Sequence, residues 1–278
     1  MNRLFIFLLS SFLVITTAFA KDEYIAADKV SLKTPTYRPS FDQFEPKTGT
    51  YRYEVSWQGI PAAELKVEVR NRNVSYQVIA TARTFSAIDL FYKLRYRVEG
   101  IMSSLDFAPR LAMIDHKENS RHKRTRITFA KDGDIRAVNE RVDKNEKQEL
   151  TFNTKNFTLD PISAAFVARG LPWKLGAKHE FDAFNGKSRY LITLTAKEKK
   201  MVKIDGKKQE AWVIAPTVIN KTKPKQTKKL RSAQIYLSTD KRREILQIKS
   251  EVFIGSVKTK LIDFKADGEA GASIVALK

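Results

Sequence analysis

The chain has 278 residues, with 51 Lys and Arg against 31 Asp and Glu, a formal charge of +20 and no cysteine. Its 42% hydrophobic content excludes wholesale disorder and supplies a sizeable core. The absence of cysteine excludes disulfides, thiolate metal sites, iron–sulfur ligation and a cysteine nucleophile.

Residues 1–20 carry Arg3 near their start, run through the apolar stretch Leu4 to Ile15, and end in the small-x-small step Ala18-Phe19-Ala20. Polar Lys21-Asp22-Glu23 follows at once. These are the three parts of a secretory signal peptide. A membrane anchor, the alternative, needs about 20 apolar residues, and this run is shorter. No cysteine follows to carry a lipid, and no later stretch is long and apolar enough for a transmembrane helix. The expectation is an exported protein of the periplasm of a Gram-negative cell, soluble or peripherally attached to the envelope.

Residues 21–49 hold Pro35, Pro39, Pro46 and Gly49 without sustained period, which predicts an extended leader. From Tyr51 the pattern is period two. Tyr51, Tyr53, Val55 and Trp57 alternate with Arg52, Glu54 and Ser56, and Ala63, Leu65, Val67 and Val69 alternate with charged residues after the turn Gln58-Gly59-Ile60-Pro61. Such alternation puts one strand face on a core and the other in water. A third strand spans about 74–82, the spacing of Ile88, Phe91 and Tyr92 predicts a short helix within 86–94, and strands resume at 95–103, 109–117 and 122–130. Asp132-Gly133, Asn185-Gly186 and Asp205-Gly206 mark hairpins. Further strands are predicted at 135–142, 178–184, 188–197, 200–204, 209–219, 230–238, 243–253 and 256–264.

One helix is well specified over 161–169: Asp160 caps it, Pro161 suits its first position, and Gly170 suits the residue after its end. The fold expected is mainly β, a curved antiparallel sheet or an open barrel or sandwich of about a dozen strands with that one short helix packed against it. Residues 50–265 read as a single β-rich domain and 266–278 as a tail. A split near 145–160 is the alternative, because 143–149 is polar and charge-rich.

No G-x-S-x-G, H-E-x-x-H, G-x-G-x-x-G or phosphate-binding loop motif is present, so no catalytic residue and no cofactor is expected. His116 and His122 lie six apart, too far to share a metal on one extended strand, unless the turn-forming Glu118-Asn119-Ser120 folds them together. Charge is the stronger signal. Lys221, Lys223, Lys225, Lys228, Lys229 and Arg231 crowd one acid-free stretch, interrupted by Pro224. A second cluster is Lys117, Arg121, Lys123, Arg124 and Arg126, and a third is Lys197, Lys199, Lys200, Lys203, Lys207 and Lys208. Solvated strand faces explain part of this excess. The remainder suits an anionic partner: an envelope lipid, lipopolysaccharide or wall polymer. Nucleic acid is not expected, because the basic stretches lack interleaved aromatics and export leads away from it. Trp57, Phe166 and Trp173 are candidates to line a cavity, with plain core packing as the alternative.

Three stretches, YRYEVSWQGIPAAELKVEV at 51–69 with ATARTFSAIDLFYKLRYRVEG at 80–100, LDPISAAFVARGLPWKLGAKHEF at 159–181, and AQIYLSTDKRREILQIKSEVFIGSVKTKL at 233–261, resemble an exported bacterial family known as domain of unknown function 3108. This chain departs from the family at Arg243-Glu244-Ile245, where an Arg-Ile-Pro-like step is usual. The resemblance implies a β-rich envelope protein and supplies no activity. Two readings follow, a non-enzymatic protein binding an amphiphilic or anionic envelope component and a structural or adaptor protein, with a hydrolase less favoured.

Overall fold

A computed structural model describes residues 25–42, 44–223, 232–251 and 255–267. The predicted signal sequence 1–20, the residues Lys225, Lys228, Lys229 and Arg231 of the basic loop, and the tail beyond 267 lie outside these residues.

The described strands are β1 (Gly49–Trp57), β2 (Ile60–Asn71), β3 (Ser75–Thr84), β4 (Leu94–Ser103), β5 (Pro109–Glu118), β6 (Arg121–Phe129), β7 (Asp134–Arg141), β8 (Glu146–Asn153), β9 (Thr158–Leu159), β10 (Lys178–Phe184), β11 (Arg189–Ile204), β12 (Lys207–Asn220), β13 (Ser232–Ser238), β14 (Ile245–Glu251) and β15 (Ser256–Ala266). Two helices accompany them, α1 (Ser86–Asp89) and α2 (Pro161–Arg169). The alternation read from the sequence is visible in the burial of β1: Tyr51, Tyr53 and Val55 are buried, while outward Arg52 bonds Glu64 on β2.

All fifteen strands join one sheet, in the order β8-β7-β6-β5-β4-β3-β2-β1-β15-β14-β13-β12-β11-β10-β9. The chain therefore runs outward from β1 to one edge, jumps to the other, and returns to pair β15 with β1. Laid flat, fifteen strands would span about 65 Å. The two edge strands, β8 and β9, are joined only by residues 154–157, which reach about 18 Å at most. The sheet must curl until its edges approach. The seam shows it: Phe152 of β8 and Phe184 of β10 meet with ring centroids 5.0 Å apart.

The leader seals that seam. Ala27 is fully buried against the cluster of Ile127, Ile135, Phe152 and Phe184. Arg189 on β11 pairs with Asp182 on β10, both at 3% side-chain exposure or less, and donates to the carbonyl oxygens of Ala27 (3.1 Å) and Val30 (3.4 Å). Further on, Asn156 donates to the Leu32 carbonyl at 2.7 Å.

Helix α2 lies on the concave face. Asp160 accepts from the backbone N–H groups of Ile162 (2.8 Å) and Ser163 (3.4 Å), the capping expected from the sequence. Gly170 differs from expectation: its φ is −79°, so it does not serve a left-handed turn. It is small because a Cβ there would lie 2.7 Å from the Cβ of Pro39 in the leader. Phe166 and Val167 enter the main core with Phe44, Tyr51, Met102, Phe107 and Trp173.

Two local readings are corrected. The polar stretch after residue 143 forms β8, paired with β7 from Asp134↔Asn153 to Arg141↔Glu146. Its residues are mostly exposed, so no hydrophobic alternation announced it. Residues Arg189–Ile204 form one long strand, β11, in which a bulge between Ala196 and Glu198 breaks the period that suggested two.

Candidate functional site

Antiparallel pairing gathers the connections that follow β1, β3, β5, β7, β10, β12 and β14 at one end of the barrel. At this end the concave face turns from apolar to basic. Tyr96, His116, Lys123 and Arg141 are successive cross-strand neighbours on β4 to β7. They share a face with Val98, Ile127 and Ala137, which are buried. One step nearer the rim come Leu94, Glu118 and Arg121.

The opposite edge contributes through the turn Asn185–Ser188. Asn139 of β7 donates to the Gly186 carbonyl at 2.7 Å, and Asn139 accepts from the Thr125 hydroxyl at 2.9 Å. Gly186, at φ 89°, sits so close to β6 that a Cβ would come within 2.4 Å of the Thr125 methyl. Only glycine satisfies both demands. The turn thus lies across the seam and carries Lys187 to Arg141. Beside it, the Asn220 carboxamide oxygen accepts from Thr222 N (3.1 Å), Thr222 Oγ1 (2.8 Å) and Lys223 N (2.9 Å), fixing the first residues of the basic loop.

The electrostatics are those of cations held together. Burial first, then Arg141 and Lys187, holds Lys123 below the ordinary lysine range. Lys187 is lowered by partial burial and by Lys223 and Arg141. His116, buried and next to Lys123, is pushed down to about 4 and is neutral at physiological pH. Arg141 bonds Asp143 at 2.9 Å through Nη2, while its buried Nε has no hydrogen-bond partner among the described residues. Glu118 is raised by burial and lies against the Tyr92 hydroxyl. Desolvated like charges of this kind favour an incoming anion, which offsets their repulsion.

The structure brings together some residues singled out in the sequence and separates others. Lys221 and Lys223 stand at the basic rim, whereas the remaining four members of their cluster lie outside the described residues. The second cluster splits by strand alternation: Arg121 and Lys123 face inward, and Lys117, Arg124 and Arg126 face outward. The third belongs to β11 and β12 and flanks the Asp205–Gly206 turn at the opposite end. His116 and His122 do have a turn between them, and it puts them on opposite faces of the sheet, His122 pairing outward with Asp115 at 3.1 Å. Phe166 and Trp173 share the main core, where the Trp173 indole donates to the Ala168 carbonyl at 2.9 Å. Trp57 packs in a separate small cluster with Val55, Ala63 and Val257. Arg141 and Lys187 were not singled out in the sequence. Their signal lay in parity: Lys123 shares the face of Ile127, and Arg141 that of Ala137.

Two shallow surface grooves of about 330 and 340 Å³ are also present, one over Glu99, Met113 and Arg126 and one over Ser56, Gln234 and Lys249. None of Trp57, Phe166 and Trp173 lines either. No helix among the described residues is long and apolar enough to cross a membrane.

A family model for proteins of unknown function, DUF3108, matches residues 52–262. No curated protein matches the sequence. Among solved structures, a β-barrel-like protein of domain of unknown function DUF1849 from Brucella abortus is similar at 9% identity and a TM-score of 0.55, over 80% of this chain and 99% of that one. That likeness is one of fold. A candidate exported protein with a YmcC-like fold from Bacteroides fragilis matches at 10% identity and a TM-score of 0.36, over 80% of this chain and 98% of that one. A candidate lipoprotein from Parabacteroides distasonis matches at 10% identity and a TM-score of 0.33, over 82% and 99% of the two chains.

Proposed function

The chain belongs to the DUF3108 family, and from that premise we propose that it is an exported, non-enzymatic protein that binds an anionic amphiphilic component of the cell envelope at its basic rim. The observation that carries this reading is the meeting of Lys123, Arg141, Lys187 and Lys223 from both sides of the seam, with two of the lysines held below their ordinary range. The main core is filled by Phe166, Trp173 and their neighbours, so the ligand engages at the rim, its anionic head on the lysines. Charge-assisted contacts of this sort are stronger than neutral ones and weaken with salt.

Titration calorimetry with a short-chain phosphatidylglycerol below its micelle concentration tests the reading. Wild-type protein should bind, more weakly as salt is raised. Lys123→Met combined with Lys187→Met should lose at least about tenfold in affinity, the equivalent of one charge-assisted hydrogen bond. Equal binding by the double variant, or none by the wild type at low salt, overturns it. The filled core favours a second reading, a structural or adaptor role in which the rim meets wall polymer or a partner protein. That role predicts retention on insoluble wall polymer and no binding of the soluble amphiphile.

A further inference from the structure

The connection between β3 and β4, residues 85–93, stands at the same end as the basic rim. It is a built turn. Phe85 N donates to the Ala62 carbonyl at 3.0 Å, and Ile88 N and Asp89 N both donate to the Phe85 carbonyl at 2.9 Å. The Asp89 carboxylate takes both terminal nitrogens of Arg95 and the Thr84 hydroxyl. Thr84 Oγ1 in turn accepts from Leu94 N at 3.0 Å. A reciprocal pair ties the far side to the β5–β6 turn: Lys93 N donates to Asn119 Oδ1 and Asn119 N to the Lys93 carbonyl, each at 2.9 Å. Tyr92 is the inward anchor, packed with Leu94 and Tyr96.

This scaffold leaves Leu90 at 81% and Phe91 at 82% exposure. Ile60, 58% exposed, stands at the start of β2, two residues before the Ala62 whose carbonyl Phe85 N meets. Two large apolar side chains would fold inward from a slack loop. Here the anchored backbone holds them in water, side by side. Lys93 and Arg121 are the exposed cations on either side of the Asn119 tie, and Lys187, Lys221 and Lys223 continue the charge around the rim. Asp89 adds no free negative charge, because Arg95 neutralises it, and Asp143 is paired with Arg141.

An apolar tip ringed by lysine and arginine matches the interface of an anionic bilayer, where hydrophobic side chains enter the headgroup boundary and cations meet the phosphates. We propose that this end of the barrel docks peripherally on an anionic lipid bilayer, with Leu90 and Phe91 as the inserted residues. The proposal shares the rim's preference for anions with the binding reading above, but it does not require a bound amphiphile.

Flotation with vesicles of phosphatidylcholine containing 30% phosphatidylglycerol, and with vesicles of phosphatidylcholine alone, tests it. Wild-type protein should float with the anionic vesicles and only weakly with the neutral ones. Leu90→Ser with Phe91→Ser should lower that partitioning at least tenfold, with an unchanged circular dichroism spectrum and unchanged binding of the soluble short-chain lipid. In a Phe91→Trp protein, tryptophan emission should shift to the blue on anionic vesicles and be quenched by brominated lipid. Equal flotation of the double serine variant, an indole at 91 that stays in water, or no flotation of the wild type overturns the docking proposal. If soluble lipid binding persists in that case, the reading of the rim as a ligand site stands. If flotation persists while soluble binding is absent, the reverse holds.

Discussion

His116 shows how strongly a single position on a strand decides a side chain's chemistry. It lies on the inward parity of β5 and is buried beside Tyr96, with ring centroids 5.6 Å apart. Lys123 across the ladder adds repulsion to the cost of burial, and together they lower the imidazole to about 4. The unfolded chain takes up a proton below the ordinary histidine value of 6.5, which the folded chain refuses until near 4. Stability should therefore fall as pH drops through that window, by about 2 kcal/mol at pH 5 from this group alone. Denaturant titrations at pH 7 and pH 5 of wild type and His116→Phe measure it: the variant should lose less stability on acidification, and equal losses would show that the imidazole titrates normally. The same parity argument separates Lys123, which faces the interior, from Arg124, which faces outward. That much was legible in the sequence, because Ile127 marks the inner face of the strand. Lys187 was not, because its place depends on how a turn far downstream in the chain crosses the seam.

At the scale of elements, helix α2 was the most legible feature. Asp160, Pro161 and the apolar spacing specify it locally. Its docking was hidden, because it depends on a residue in a distant strand. Gly100 of β4 lies beneath Ile162, and a Cβ at that position would sit 3.1 Å from the Ile162 Cβ and Cγ2. Gly100→Val should push the helix off β4 and cost about 1–3 kcal/mol. Ile162→Ala in the same chain should recover part of that loss, since it vacates the space. Thermal or urea unfolding of the three variants measures the coupling, and simple additivity would contradict direct packing. β8 was missed for the opposite reason: it is a polar edge strand specified by its pairing with β7. Its burial pattern carries little more than Leu150 and Phe152. The hairpins at Asp132-Gly133, Asn185-Gly186 and Asp205-Gly206 were legible because the turn residues announce themselves.

The whole molecule follows from the lateral order of the sheet. Period-two patterning predicted a curved β protein. It carried no information about which strand neighbours which, and so none about β8 and β9 becoming opposite edges joined by four residues. Closure, the leader laid in the seam, and the buried Arg189–Asp182 pair together set β6 and β7 against the β10–β11 turn. The basic rim exists only because of that closure: Lys123 comes from one half of the sheet and Lys187 from the other. Lysine side-chain NMR of the whole protein, titrated with pH in the absence and presence of short-chain phosphatidylglycerol, tests this most directly. Lys123 and Lys187 should both titrate below the ordinary value of 10.5 in the free protein and move upward together when the lipid is added. Ordinary titration of both, unmoved by the lipid, would contradict the convergence and the anion site built on it.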